Sequence, residues 1–81
     1  MVKLFVAGLN QEFDVIRLVE LFSLHGAVEE IKVVTDKVSG KVKGFAFMHM
    51  SDERGAARAI EGLNGVSFDG KKLEVKRSVE K

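Results

Sequence analysis

The apolar residues of this chain follow two different periodicities, and the order in which these alternate limits the folds that the chain can adopt. Short segments of alternating or β-branched apolar residues predict four strands, at Val2–Leu9, Val28–Thr35, Lys43–Met50 and Leu73–Arg77. Apolar residues at helical spacing predict two helices between these strands. The first covers Val15–Phe22 after the N-cap Asp14, and the second runs from a cap at Ser51 or Asp52 to Leu63.

The order of these elements is β-α-β-β-α-β, the split βαβ pattern of ferredoxin-like folds. A short hairpin is expected at the Asp69-Gly70 turn, before the last strand. Because crossover connections are right-handed, both helices should lie on one face of a four-stranded antiparallel sheet whose first and third strands are central. We therefore expect an α+β fold in a single domain over residues 1–81, with the second face of the sheet uncovered.

The third strand contains two phenylalanines, and their neighbours indicate which way they point. Alternate side chains of a strand face opposite sides of the sheet. If Phe45 and Phe47 faced the helices, Lys43 and His49 would be buried with them, and an unpaired buried charge is costly. The small Gly44, expected to be a packing residue, suits the helix side better. This odd–even alternation along the strand, which we call parity, thus favours exposed rings. The alternative is that the two rings are core residues, as most phenylalanines are.

The same alternation places further side chains on the uncovered face. Phe5 shares that face with Lys3 on the first strand, Lys32 lies on it in the second strand, and Lys76 and Ser78 lie on it in the fourth. Exposed aromatic rings beside cations suit single-stranded nucleic acid, because the rings stack on unpaired bases and the lysines contact phosphates. The net charge of +1 adds little support, so this prediction depends on where the charges lie.

Composition excludes several classes of function. The chain has no cysteine, which rules out disulfides, thiolate metal sites and a cysteine nucleophile. The two histidines, His25 and His49, lack partners at a catalytic or metal-binding spacing, so we expect no enzyme activity, no metal and no cofactor. No apolar run reaches the roughly 20 residues of a membrane span, and no signal-peptide cleavage region follows the N-terminus. The expected location is intracellular, with the cytoplasm as the default and the nucleus as the alternative in a eukaryote.

Two segments resemble the paired motifs of the RNA-recognition motif (RRM) family. The octapeptide Lys43-Gly44-Phe45-Ala46-Phe47-Met48-His49-Met50 is similar to the family's ribonucleoprotein octapeptide, and Leu4-Phe5-Val6-Ala7-Gly8-Leu9 is similar to its hexapeptide. The resemblance extends over nearly the whole chain. The departures are Gly8 in place of the usual Asn, His25 in place of an aromatic, Met48 in place of the usual Val, and Met50 in place of an aromatic; none removes a stacking residue.

The resemblance implies a role for each matching residue. Phe5 and Phe45 would each stack on a base, Phe47 would pack against sugars or bases between them, and Lys43 would pair with a phosphate. Fourth-strand contacts would come from Lys76 and Ser78. The partner would be single-stranded RNA, with single-stranded DNA also accepted because stacking barely distinguishes the sugars, and the protein would be monomeric.

Two further predictions rest on the residues beside these motifs. Lys41, in the loop between the second and third strands, is expected to contact RNA. His49 is either a nucleotide contact or a solvated ring.

Other functions of the same fold require residues that can be sought in this chain. A protein-binding RRM, whose sheet or helix face holds a peptide, is the main alternative. The type that has an acidic first helix and an Arg-x-Phe motif is disfavoured, because Val66-Ser67-Phe68 lacks the arginine. A metal chaperone would need a cysteine pair, and a small phosphatase would need a cation in the loop after the first strand, where Gly8-Leu9-Asn10-Gln11 has none.

Overall fold

A computed structural model describes residues 2–10, 13–40 and 42–78, apart from the side chains of Val42 and Lys43. Along these residues the elements follow in the predicted order. The strands and helices are β1 (Val2–Ala7), α1 (Val15–Ser23), β2 (Val28–Thr35), β3 (Val42–Met50), α2 (Glu53–Leu63), β4 (Ser67–Phe68), β5 (Lys71–Lys72) and β6 (Glu74–Arg77).

The strands form a four-stranded antiparallel sheet in the order β2-β3-β1-β6, with a separate two-stranded hairpin of β4 and β5. The predicted ferredoxin-like topology and the central pair of β1 and β3 are confirmed. The observed strand bounds differ most from the predicted ones at β1, which was predicted to end at Leu9 and ends two residues earlier. Gly8 has φ +85°, a left-handed conformation that interrupts an extended strand, and a Cβ there would lie 2.2 Å from the carbonyl oxygen of Lys72.

Each helix begins at an aspartate that caps its free amides. The Asp14 carboxylate accepts hydrogen bonds from the amides of Ile16 and Arg17, at 3.0 and 3.3 Å. The Asp52 carboxylate accepts one from the amide of Gly55 at 2.7 Å, so Asp52 and not Ser51 is the second cap. Such caps stabilise a helix by about 1 kcal/mol each.

The core lies between the helices and one face of the sheet. Its residues from the sheet are those that parity assigned to the helix side, and the fully buried members include Leu4, Val6, Ala46, Met48 and Met50. The helices contribute Leu18, Phe22, Ala56, Ala59 and Leu63. Val15, one of the apolar residues at helical spacing in the first helix, is 36% exposed at the start of α1.

Three glycines have structural roles that the sequence pattern did not indicate. Gly44, expected to pack against the helices, instead has φ +89° beside an irregularity in the pairing of β3 with β2, and its carbonyl accepts the amide of Leu9 at 3.0 Å. Gly26 and Gly55 bring the end of the α1 segment onto α2, because a Cβ on Gly26 would lie 2.6 Å from the Cα of Gly55. Gly55 weakens the helix locally but permits this close packing.

Candidate functional site

Three phenylalanine rings cluster on the sheet face opposite the helices. Phe5, Phe45 and Phe47 are half-buried, while Leu4, Val6, Ala46 and Met48, their strand neighbours on the other face, are fully buried. The ring centroids are 5.5 Å apart for Phe5 and Phe45, 5.8 Å for Phe5 and Phe47, and 6.2 Å for Phe45 and Phe47. The rings therefore contact one another and form one continuous aromatic surface, which we call the ring cluster.

Strand register arranges the side chains of this face in three cross-strand rows. The first row is Phe45, Ala7 and Glu74. The second row contains Lys32, Phe47, Phe5 and Lys76, and the third contains Glu30, His49 and Lys3, beside Ser78. Residues directly opposite one another on antiparallel strands share a face and lie about 5 Å apart. The four predicted positions Phe47, Phe5, Lys32 and Lys76 are thus brought into one line across the sheet.

Two lysines lie directly over the rings. The Nζ of Lys3 is 4.6 Å from the centroid of Phe47, and the Nζ of Lys76 is 5.2 Å from that of Phe5. These distances are typical of cation–π interactions, which contribute about 0.5–1 kcal/mol each at exposed sites. Lys32 is exposed beside Phe47 on the edge strand β2. The described lysines on this face therefore surround the ring cluster on three strands.

The ring of His49 is not solvated. Its side chain is 12% exposed, and both ring nitrogens are buried without a hydrogen-bond partner among the described residues. The Nδ1 atom is 3.6 Å from the Oε2 atom of Glu30, which is too long for a hydrogen bond. His49 therefore lies between Lys3 and Glu30 in its row, with its ring largely buried in the surface.

The remaining predicted residues lie at the margins of the described chain. Ser78 is half-buried, and its amide donates to the carbonyl of Lys3 at 2.9 Å, which continues the pairing of β6 with β1. Lys41 and the side chain of Lys43 lie outside the described residues, so their predicted contacts with RNA stay predictions.

The loop before Lys41 is ordered by a single carboxylate. Asp36 accepts hydrogen bonds from the amides of Val38 and Ser39, at 2.8 and 3.1 Å, and its carbonyl accepts the amide of Gly40 at 2.8 Å. The backbone hydrogen bond from Ser39, followed by that from Val38, lowers the pKa of Asp36 below its ordinary value of 3.8. The loop is therefore fixed at its base while Val38 is exposed at its tip.

Sequence reasoning did not assign a role to Glu74, which lies on the same face as the ring cluster. Its neighbours Leu73 and Val75 are buried in the core, so the alternation of β6 directs Glu74 outward together with Lys76. The Glu74 carboxylate is 3.7 Å from the Nζ of Lys76. Strand alternation alone would have placed Glu74 on this face. The residues predicted to bind there were cations and aromatic rings, and a carboxylate repels the phosphates that those cations would contact.

A concave surface lies on the helix side of the sheet, away from the ring cluster. A cavity of about 220 Å³ is lined by Arg17, Glu20, Leu21, Leu24 and Phe68. The guanidinium of Arg17 lies 5.5 Å from the ring centroid of Phe68. An arginine thus lies over this phenylalanine even though Val66-Ser67-Phe68 lacks one, because α1 supplies it.

The described residues contain no group of three or more His, Asp or Glu side chains placed to hold a metal ion. Within the same residues, no helix has both the length and the apolar character that crossing a membrane requires.

Comparison with known proteins matches residues 4–74 to the family described as RNA recognition motif. Two curated relatives are similar over most of the chain. A 28 kDa chloroplastic ribonucleoprotein of Nicotiana sylvestris is 35% identical over 98% of this chain, and a 29 kDa chloroplastic ribonucleoprotein of Arabidopsis thaliana is 40% identical over 90% of it. These matches cover only 29% and 21% of the two relatives, so the chain spans less than a third of their length.

Among solved structures, a crystal structure described as RNA Binding Protein PG1 is similar over 100% of this chain and 98% of its own, with a TM-score of 0.92 and 38% identity. The RNA recognition domains of Sex-lethal from Drosophila melanogaster superimpose on 99% of this chain and 51% of theirs, with a TM-score of 0.88 and 29% identity.

Proposed function

The chain belongs to the RNA recognition motif family, and on that premise we propose that it binds single-stranded RNA across the ring cluster. The observation that carries this proposal is the cluster itself: three mutually contacting rings on the sheet face opposite the helices, surrounded by lysines from three strands. Family membership places the chain among RNA-binding domains and not among enzymes.

Bases stack on Phe5 and Phe45, and Phe47 packs against the sugars or bases between them. Each stacked base contributes roughly 1–3 kcal/mol. Because Lys3 and Lys76 lie over Phe47 and Phe5 in the free protein, these lysines move aside when nucleotides occupy the ring faces. Their ammonium groups then pair with phosphates, as do Lys32 and Lys43, while Ser78, His49 and Lys41 border the same path.

Stacking alone discriminates poorly between sugars, so single-stranded DNA is a second ligand in this proposal. We propose that residues 1–81 act as one monomeric domain that needs no metal or cofactor. The relatives are described as chloroplastic, which favours an intracellular location in general and gives the cytoplasm no particular support.

The double variant Phe45→Ala, Phe47→Ala tests the proposal, with a fluorescent single-stranded RNA of mixed sequence as the probe. Binding should fall by at least about fivefold, because at least one stacked base is lost. Since the rings contact one another, each truncation should also cost a modest amount of stability. Circular dichroism and the melting temperature show whether the variant is folded at the assay temperature.

The matched control is Ile16→Ala, Leu24→Ala, which removes apolar side chains from the outer surface of α1. These residues are 69% and 80% exposed and lie away from the ring cluster. The control should bind RNA like the wild type. Equal loss in both folded variants, or unchanged binding in the ring variant, would contradict the proposal.

A second candidate function rests on the cavity beside α1. Its apolar wall of Leu21, Leu24 and Phe68 has the size to take one large side chain of a peptide partner. In that case the Ile16→Ala, Leu24→Ala variant would lose the partner, while the wild type would show no affinity for RNA.

A further inference from the structure

We propose that Glu74 selects the base bound beside the ring cluster, favouring guanine over uracil. The inference rests on the proposed RNA binding and adds a sequence preference to it. It depends on where the register places Glu74, on what a carboxylate can accept, and on what each base can donate.

The register places Glu74 in the same cross-strand row as Phe45, with Ala7 between them. Glu74 is opposite Ala7, and Ala7 is opposite Phe45, so the three side chains form one row across β6, β1 and β3. Two strand spacings separate Glu74 from Phe45, which is about 10 Å. Because Ala7 has only a methyl group, the residue between Glu74 and Phe45 in this row leaves most of that distance uncovered. A base stacked on Phe5 or Phe45 therefore has an edge above Ala7 that points toward the carboxylate.

The charge of Glu74 excludes phosphate as its partner. A carboxylate is an acceptor only and repels the phosphates that the surrounding lysines attract. Its ion pair with Lys76 is long, at 3.7 Å, and the two side chains are 60% and 62% exposed, so solvent weakens it. The Glu74 oxygens thus keep free lone pairs, and the groups of a nucleotide that can satisfy them are its N–H and O–H donors.

The bases differ in the donors that they present on the Watson–Crick edge. Guanine offers N1–H and the N2 amino group side by side, which matches the two oxygens of a carboxylate, and such charge-assisted bidentate pairs are strong. Uracil offers a single N3–H between two carbonyl oxygens, which repel a carboxylate. Cytosine and adenine offer one amino group each and should bind with intermediate strength.

The experiment measures a ratio of affinities instead of an absolute affinity. Uridine hexamers with a single guanosine placed at each position in turn are titrated against the wild type and Glu74→Gln. At one position the wild type should prefer guanosine by about 5- to 150-fold, the range for one bidentate base contact. Glu74→Gln should lose most of this preference, because the amide has a single acceptor oxygen.

The control is Glu30→Gln, which removes the same charge from the same face at the opposite corner of the three rows. Glu30→Gln should bind every hexamer somewhat more tightly, since it removes a repulsive charge. Glu74→Gln should do the same for every hexamer except the one whose guanosine contacts Glu74, which it should bind less tightly. Only Glu74→Gln should change the ratio. A uniform gain in both variants with an unchanged ratio would overturn the inference while leaving RNA binding intact.

Two other outcomes are equally informative. A change in the preference for RNA over DNA hexamers, with no change in base preference, would assign Glu74 to the 2′-hydroxyl and overturn the base assignment. No binding of any hexamer by the wild type would refute the proposed function itself, and the inference with it.

Discussion

Replacing Lys32 with glutamine tests whether the lysines around the ring cluster contact phosphates. Lys32 is exposed on the edge strand β2 and lies directly opposite Phe47, so a strand of RNA that crosses the rings passes its ammonium group. The substitution removes one positive charge and keeps most of the length and polarity of the side chain. Because Lys32 is exposed and belongs to no described ion pair, the fold should be unaffected.

The magnitude follows from the number of lysines that the proposal assigns to phosphates. Four lysines, Lys3, Lys32, Lys43 and Lys76, neutralising four phosphates give log K a slope of about −2.8 against log salt for a single strand. Raising the salt from about 50 to 200 mM should then weaken the wild type about 50-fold. With one contact removed, the slope should be about −2.1 and the loss about 18-fold.

Fluorescence anisotropy of a labelled single-stranded RNA, titrated at several salt concentrations, gives both slopes. The matched control is Arg58→Gln, which removes a cation from an exposed position of α2 on the opposite side of the sheet. The control should keep the wild-type slope. A Lys32→Gln slope equal to that of the wild type, or an equal reduction in Arg58→Gln, would refute a direct phosphate contact.

The remaining predictions concern the scaffold. Gly26→Ala should lower the free energy of unfolding by about 1–3 kcal/mol, because its Cβ would meet the backbone of Gly55 at 2.6 Å. Gly62→Ala also meets a neighbour at 2.6 Å, but that neighbour is the movable ring of His25, so urea denaturation should show no loss and a gain of up to about 1 kcal/mol from helix propensity. Equal losses in the two variants would contradict this contrast. Since its pKa is lowered in the folded protein, Asp36 orders its loop fully above pH 3.8 and progressively less as the pH falls through the lowered value, which the amide NMR shifts of the loop should follow. An unchanged loop spectrum down to pH 2 would contradict it.

The direction of the three phenylalanines was predictable without any family resemblance. Strand residues alternate strictly between two faces, and a lysine and a histidine at the same parity as Phe45 and Phe47 made the buried alternative costly. The topology was equally predictable, because the chain alternates between periods of 2 and 3.6 residues in an order that right-handed crossovers convert into one arrangement. Local periodicity determines which face of the sheet a strand residue occupies, and it was sufficient to predict the direction of Phe5 as well.

Local periodicity did not predict the conformations of the glycines. Gly44 alternates like a packing residue, yet its φ of +89° lies beside an irregularity in the pairing of β3 with β2, and its carbonyl accepts a hydrogen bond from the amide of Leu9. Gly55 disfavours the helix by its intrinsic propensity, yet it permits contact with Gly26, 29 positions earlier. A close approach between segments distant in sequence leaves no periodic signal in either of them.

The sequence by itself therefore determined the order of the elements, the face on which each strand residue lies, and the motifs that identify the family. Only the tertiary structure decided how the strands align with one another. That alignment places Glu74 in the row of Phe45, positions Lys3 and Lys76 over aromatic rings, and sets His49 between Lys3 and Glu30, where its ring nitrogens are buried. The physical reason is that parity is a property of one strand, whereas register depends on hydrogen bonds between strands, and it is register that sets which side chains meet.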